Sequence, residues 1–249
     1  MRVGPASSST CTPDVAAAGD SRAREMGSLR ISLGPRGIGR LGLASIAIIL
    51  LGELITAIPY RGYAGEAYSP LNHFISELGE IAASRFAFVY NLGIVVGGLG
   101  LLVFLLAVAR TMDGRLATIF TLLAVVAGIA GPLCGLFPMD YLATHRLVSG
   151  LFFLSGWLVG DTFTLWLVHR RPAFWPRWLV VPGLIVVVVF ACFVVVYSTY
   201  HPVDPNAPIL ARSAVWTVPL LEWASLLSLL AWLACLAVAL LRRPTEPAD

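Results

Sequence analysis

The sequence predicts an all-α, polytopic membrane protein: six transmembrane helices with a short amphipathic helix at the outer interface. Three observations predict it. The 249 residues are 58% hydrophobic and only 12% charged, with a mean hydropathy of +0.83, a balance that excludes both a soluble globular domain and a chain disordered throughout. Six apolar stretches follow one another, each near the ~20 residues that a helix needs to cross a hydrocarbon core. Finally, the basic residues are unevenly placed between those stretches. All 17 are arginine, a lysine blank that fits codon bias and not a nucleic-acid surface.

The stretches predict spans at about 38–58, 86–109, 116–137, 147–168, 178–197 and 214–241. Residues 1–36 are rich in Ser, Ala, Gly and Arg without an apolar period, which predicts a disordered cytoplasmic N-terminal tail, with Met26 as an alternative start. The first span reads as a signal anchor, because Glu53 interrupts it and it exceeds the apolar core of a cleaved signal. Arg110 and Arg115 bracket a Thr-Met-Asp-Gly turn that makes spans two and three a tight hairpin. Arg170, Arg171, Pro172, Pro176 and Arg177 do the same for spans four and five. The bundle thus occupies 37–243, followed by a short cytoplasmic tail at 244–249.

Positive residues near span ends are retained in the cytoplasm. With the N-terminus inside, every arginine but Arg61, Arg85, Arg146 and Arg212 falls on the inner side. Both termini are therefore expected in the cytoplasm, and the long loop between spans one and two outside. No internal repeat relates the two halves, which argues against an inverted-repeat transporter. The one broken-helix signal is Gly131-Pro132 in span three. Gly93 and Gly97 have small-xxx-small spacing, and with Gly98, Gly100, Gly128 and Gly131 they predict close contact within the span two/three hairpin. Aromatic residues near span ends, Tyr60, Tyr63, Tyr68, Trp175, Trp178, Tyr197, Tyr200 and Trp216, read as interfacial anchors. Cys11 lies in the tail, and Cys134, Cys192 and Cys235 in apolar helix, where a thiol behaves as a small hydrophobe.

In the first loop, Ser69 suits a helix cap and Pro70 the first helical position, while Leu71, Phe74, Ile75 and Leu78 share one side. The opposite side carries Asn72, His73, Ser76, Glu77 and Glu80, with His73/Glu77 and Ser76/Glu80 each at contact spacing. The reading is a short amphipathic surface helix that plugs the outer mouth of the bundle, its polar side either a plain solvated face or part of a site. His73, His145 and His201 fall on the outer side together with Glu66, Asp140, Asp204 and Arg212. Such a set can ligate a metal or run acid–base chemistry. It lacks a local His-Glu-x-x-His, Gly-x-Ser-x-Gly, Cys-x-x-Cys or phosphate-loop motif.

Acidic residues inside spans are costly, at ~2.5–3.5 kcal/mol on insertion scales, and tend to face a partner or a cavity. Glu53 and Glu222 are both expected roughly 8–12 Å below the outer surface, with the Asn91 amide at the same level. They form either an outward-opening polar pocket or hydrogen-bonded contacts between helices. Asp161, nearer the inner end of span four, is expected to anchor an interhelical contact or to reach the interface beside His169 and Arg170.

The stretch Tyr68-Ser69-Pro70-Leu71-Asn72-His73-Phe74-Ile75-Ser76-Glu77-Leu78-Gly79, with Asn91 following early in span two, resembles the first-loop signature of the bacterial and archaeal membrane family DUF998. Phe137-Pro138-Met139-Asp140 and then His145 resemble its second recurring element. Ile75-Ser76-Glu77-Leu78-Gly79 and Glu222-Trp223 are more distantly similar to the eukaryotic FRAG/DRAM/Sfk group, with Glu77 where that group more usually has Asp. The resemblance implies six spans and a first loop folded back onto the bundle outside the cytoplasm. For the eukaryotic relatives it also implies a link to lipid remodelling or membrane stress, and it assigns no catalytic residue.

These readings predict a cell-membrane protein in contact with lipids, with no nucleic-acid partner and no cofactor. Its leading function is a non-enzymatic binder or modulator holding a lipid or small polar ligand against Glu53, Asn91, Asp140, His145 and Glu222. The alternative is an extracytoplasmic hydrolase or transferase, possibly metal-dependent. In it His145 or His73 is the base, Asp140 or Glu77 orients it, Ser76 is a further catalytic candidate, and His73, His145 and His201 are the metal candidates. A small transporter is the third reading.

Overall fold

The computed structural model describes Met1 and residues 34–199 and 212–243. The expectations for the N-terminal tail up to residue 33, Met26, Cys11, Tyr200, His201, Asp204 and the 244–249 tail lie outside the described residues. Six helices are long and apolar enough to cross a membrane: α1 (Pro35–Ala57), α2 (Ala87–Ala109), α3 (Gly114–Leu136), α4 (Leu142–Arg170), α5 (Val180–Thr199) and α6 (Thr217–Leu241). The protein is a multi-pass membrane protein. Each helix packs on its neighbours in sequence, and α6 returns to pack on α1, so the six close into a ring.

Large aliphatic side chains such as Leu122, Val188 and Leu151 face outward, as expected where lipid tails, not water, surround the bundle. Helices then associate by close packing and not by burial from water. Glycines set the closest approaches, within the α2/α3 hairpin at Gly98 and Gly128 as expected but elsewhere at the other predicted glycines. Gly93 and Gly97 face α1, where a Cβ on Gly97 would lie 2.8 Å from the Ser45 carbonyl and one on Gly93 would lie 3.2 Å from that of Ile48. Gly98, one residue on from Gly97, turns to Pro132 of α3, Gly128 meets Leu102, and Gly131 faces Phe152 of α4. The ~100° step between adjacent helical residues divides the α2 glycines between two partners. Helix α3 runs unbroken through Pro132, whose ring packs against Gly98.

At the end opposite the first loop, the two short turns interlock. Trp166 Nε1 donates to Asp113 Oδ1 at 2.9 Å, and Trp175 Nε1 donates to Thr111 Oγ1 at 2.9 Å. Above them Phe163 packs edge-on against Trp175 and Trp232 at 5.4 and 5.7 Å between ring centres. This half of the interior is filled. Trp175 here, and Tyr60 and Trp216 at the first-loop end, are buried core residues and not interfacial anchors. Tyr63, Trp178 and Tyr197 are exposed as anchors would be. Asp161 is exposed on α4 and has no hydrogen bond or ion pair among the described residues, so it anchors no interhelical contact there. It lies on the face of α4 turned away from both neighbouring helices.

Candidate functional site

The first loop, 58–86, carries the largest departure from the sequence reading. After a turn at 70–72, only Ile75–Gly79 is helical, as a five-residue 3-10 turn, and it is inserted into the bundle mouth. Both of its sides are covered: Ile75 and Leu78 are buried, and so are His73 and Glu77, at 1% and 5% exposure. A solvated polar face is thus replaced by a polar face with protein partners. Amphipathic spacing identifies the apolar side but does not show whether the other side meets water or the rest of the chain.

Those partners come from every neighbouring element. Glu77 accepts from Arg212 Nη1 at 2.9 and 3.0 Å and from the Phe74 amide at 2.9 Å. It forms this buried ion pair in place of the expected contact with His73. Arg212 also donates to the Asn72 carbonyl at 3.3 Å and lies 5.6 Å from the centre of the Trp216 ring. Glu222 Oε2 accepts the Ile75 amide at 2.8 Å, and Asn91 Nδ2 donates to the Gly79 carbonyl at 2.9 Å. Asp140 accepts the Ile81 and Ala82 amides at 2.8 and 3.2 Å. The Trp216 amide donates to the Leu71 carbonyl at 2.7 Å, and the Ser76 hydroxyl donates to Met139 Sδ at 3.1 Å.

His73 is enclosed within the loop itself. The Asn72 Oδ1 and Ser69 carbonyl oxygens lie 2.7 and 3.2 Å from Nδ1, and the Ser69 amide donates to it at 3.3 Å. Its Nε2 is buried without a hydrogen bond, 3.8 Å from Glu66 Oε1, and the Tyr60 and Tyr68 rings pack around it. Burial pushes the Tyr68 phenol up, so the hydroxyl stays a donor. It donates to the Phe74 carbonyl at 3.0 Å and accepts from Trp223 Nε1 at 3.0 Å. Nearer the surface Tyr63 donates to Glu80 at 2.7 Å. That bond first, and burial second, push its phenol up to about 12, while burial raises the Glu80 carboxyl.

Beneath the loop, inside the ring, lies a cavity with about 100 Å³ of space open to a water-sized molecule. Well-packed interiors leave few voids larger than a water molecule, so this is more than a packing defect. Its walls are apolar, from Leu101 and Leu105 on α2, Ala127 on α3, Phe152 and Val159 on α4 and Leu229 on α6, with Trp232 at the far end. Its polar groups Ser76, Tyr90, Cys134, His145, Ser149 and Glu222 gather at the first-loop end, while at the far end the Trp232 indole N–H is buried without a hydrogen-bond partner among the described residues.

Of the sequence candidates, Ser76, His145 and Glu222 line this cavity. Glu53, Asn91, Asp140, Glu77 and His73 do not. Glu53 is buried at 3% exposure, with Oε1 lacking a hydrogen-bond partner among the described residues. His145 Nδ1 lies 2.8 Å from the Phe137 carbonyl. Among the described residues no group of three His, Cys, Asp or Glu side chains is arranged to hold a metal ion. The sequence reading missed Ser149, although its spacing four residues after His145 on one helix puts both on the same face. It also missed the Glu77–Arg212 pair, since nothing local joins residues so far apart in the chain.

The Asp140 contact yields a direct expectation. A carboxylate accepting backbone amides is worth ~1.5–3 kcal/mol when buried, and Asp140 is exposed, so the lower end applies. Asp140→Ala is expected to speed hydrogen exchange at the Ile81 and Ala82 amides by roughly tenfold, leaving amides in the middle of α3 unchanged.

No curated protein and no solved structure matches the chain. The family model described as a protein of unknown function, DUF998, matches residues 46–239, taking in the first loop, the cavity and nearly all of the six helices. The chain belongs to the DUF998 family.

Proposed function

We propose that the protein is a non-enzymatic binder or modulator that holds a lipid-like amphiphile in the cavity beneath the first loop. One observation carries the reading: an apolar chamber within the ring whose polar side chains, the Trp232 indole apart, gather at one end. Ligand sites are typically apolar hollows with a few polar groups that orient the occupant, and a head-and-tail molecule satisfies both parts of this one. The hydrolase or transferase reading draws less support. Asp140 holds loop amides, Glu77 holds Arg212, His73 is enclosed by tyrosines, and His145 Nδ1 bonds a main-chain carbonyl. The arginine distribution supports both termini lying in the cytoplasm of a cell-membrane protein and the first loop lying outside.

The test is retention of lipid by the purified protein in native mass spectrometry. The wild-type chain is expected to keep an amphiphile through detergent exchange. Ala127→Phe, which fills the chamber, is expected to lose most of it, whereas Leu122→Phe on the lipid-facing surface keeps it. Equal retention by the two variants, or none by the wild type, removes the proposal.

A further inference from the structure

Resting on that binding reading, we infer that the cavity selects a head group without negative charge, a hydroxyl on a hydrocarbon chain, and refuses phosphate- and carboxylate-headed amphiphiles. The argument lies in what the polar end offers. Among the described residues no arginine lines the cavity, and the chain contains no lysine. Arg212, the cation of the first-loop end that is buried, pairs with Glu77. An anionic head would therefore enter a low-dielectric chamber beside Glu222 with no opposite charge, and an unpaired buried charge is among the most costly arrangements a protein makes.

At the first-loop end the serine, thiol and imidazole donors of the lining already point at protein acceptors, and the lining's one buried donor without a partner among the described residues, the Trp232 indole N–H, lies at the far end. The Ser76 hydroxyl donates to Met139 Sδ, the Ser149 hydroxyl to the Arg146 carbonyl at 3.3 Å, and the Cys134 thiol to the Ala130 carbonyl at 3.3 Å. The His145 proton on Nδ1 goes to the Phe137 carbonyl, which makes Nε2 of the neutral ring an acceptor. Glu222 uses Oε2 for the Ile75 amide, and Oε1 has no hydrogen bond among the described residues. As a carboxylate Oε1 accepts from a hydroxyl, and as an acid it donates to one. In neither form does it neutralise an anion. The Tyr90 hydroxyl can donate or accept, which completes the match to an alcohol, itself both donor and acceptor.

The experiment compares four probes sharing one C18 tail class, monoolein, oleylamine, oleate and oleoyl lysophosphatidate, exchanged into full-length protein and read by native mass spectrometry. Monoolein is expected to bind on the order of tenfold or more tighter than oleate and lysophosphatidate. Ala127→Phe should abolish that binding, and Ser149→Arg, which supplies the missing cation, should reverse the order in favour of oleate. Oleate or lysophosphatidate binding as tightly as monoolein overturns the head-group inference and leaves the binding reading standing. Oleylamine binding more tightly than monoolein overturns the hydroxyl assignment in favour of an ion pair with Glu222, confirmed if Glu222→Gln removes the preference. Retention of none of the four, in a protein that is folded by its thermal transition, overturns the binding reading itself.

Discussion

Arg212→Met is expected to lower the stability of the folded protein in detergent by about 3–5 kcal/mol, the usual cost of breaking a buried ion pair from one side. The Arg212 and Glu77 side chains are 9% and 6% exposed, and one guanidinium nitrogen reaches both carboxylate oxygens. Removing the cation leaves the Glu77 carboxylate buried beside the Phe74 amide alone. The double variant Glu77→Gln/Arg212→Met removes both charges and should recover most of the loss. Its glutamine carbonyl can still accept from Phe74, and a methionine stem can still pack near Trp216. Denaturant titrations of the two single variants and the double measure this. A double variant as unstable as Arg212→Met would mean that the pair is not what secures the loop.

The second large effect is expected at Gly97. Replacing a helical glycine by alanine ordinarily gains about 1 kcal/mol of helix propensity. Here the added Cβ would lie 2.5 Å from Ile49 Cγ1 and 2.8 Å from the Ser45 carbonyl oxygen. The side chain can yield, but the carbonyl belongs to α1 and cannot move without the helix. Overpacking of this kind costs ~1–3 kcal/mol, so Gly97→Ala should be neutral to destabilising, and Gly97→Leu should separate α1 from α2 and abolish the folded state. Gly150→Ala on α4, where a Cβ meets nothing within 4 Å, is the control and should stabilise slightly. Thermal unfolding of the three variants tests the ranking, and a folded Gly97→Leu protein would show that the α1–α2 contact is looser than described.

Both effects arise in contacts whose partner the chain's local pattern does not name. The six helices were legible because each is a run of apolar residues as long as the bilayer is thick, a property of consecutive residues. The gathering of Ser76, Glu77, Asn91, Asp140 and Glu222 at one end also followed from counting spans. What each does there did not follow. Asn91, Asp140 and Glu222 were read as facing a ligand, and the hydrogen bonds they make go to main-chain groups of residues 75–82. A side chain that receives a backbone amide leaves no trace in its partner's identity, since every residue but proline carries the same amide.

By itself, the sequence determined the membrane setting, the number of helices and their order, and the presence of a polar first loop, because those depend on composition and on periodicity within single segments. The tertiary structure alone decided that the polar side of the loop meets protein and not water, that Gly93 and Gly97 serve α1 and not α3, and that Glu77 answers Arg212. It also decided that the ring leaves an apolar chamber with one polar end. Each of these is a relation between surfaces on different helices. Its energy depends on distances and on the rotation of one element against another, which no single segment encodes.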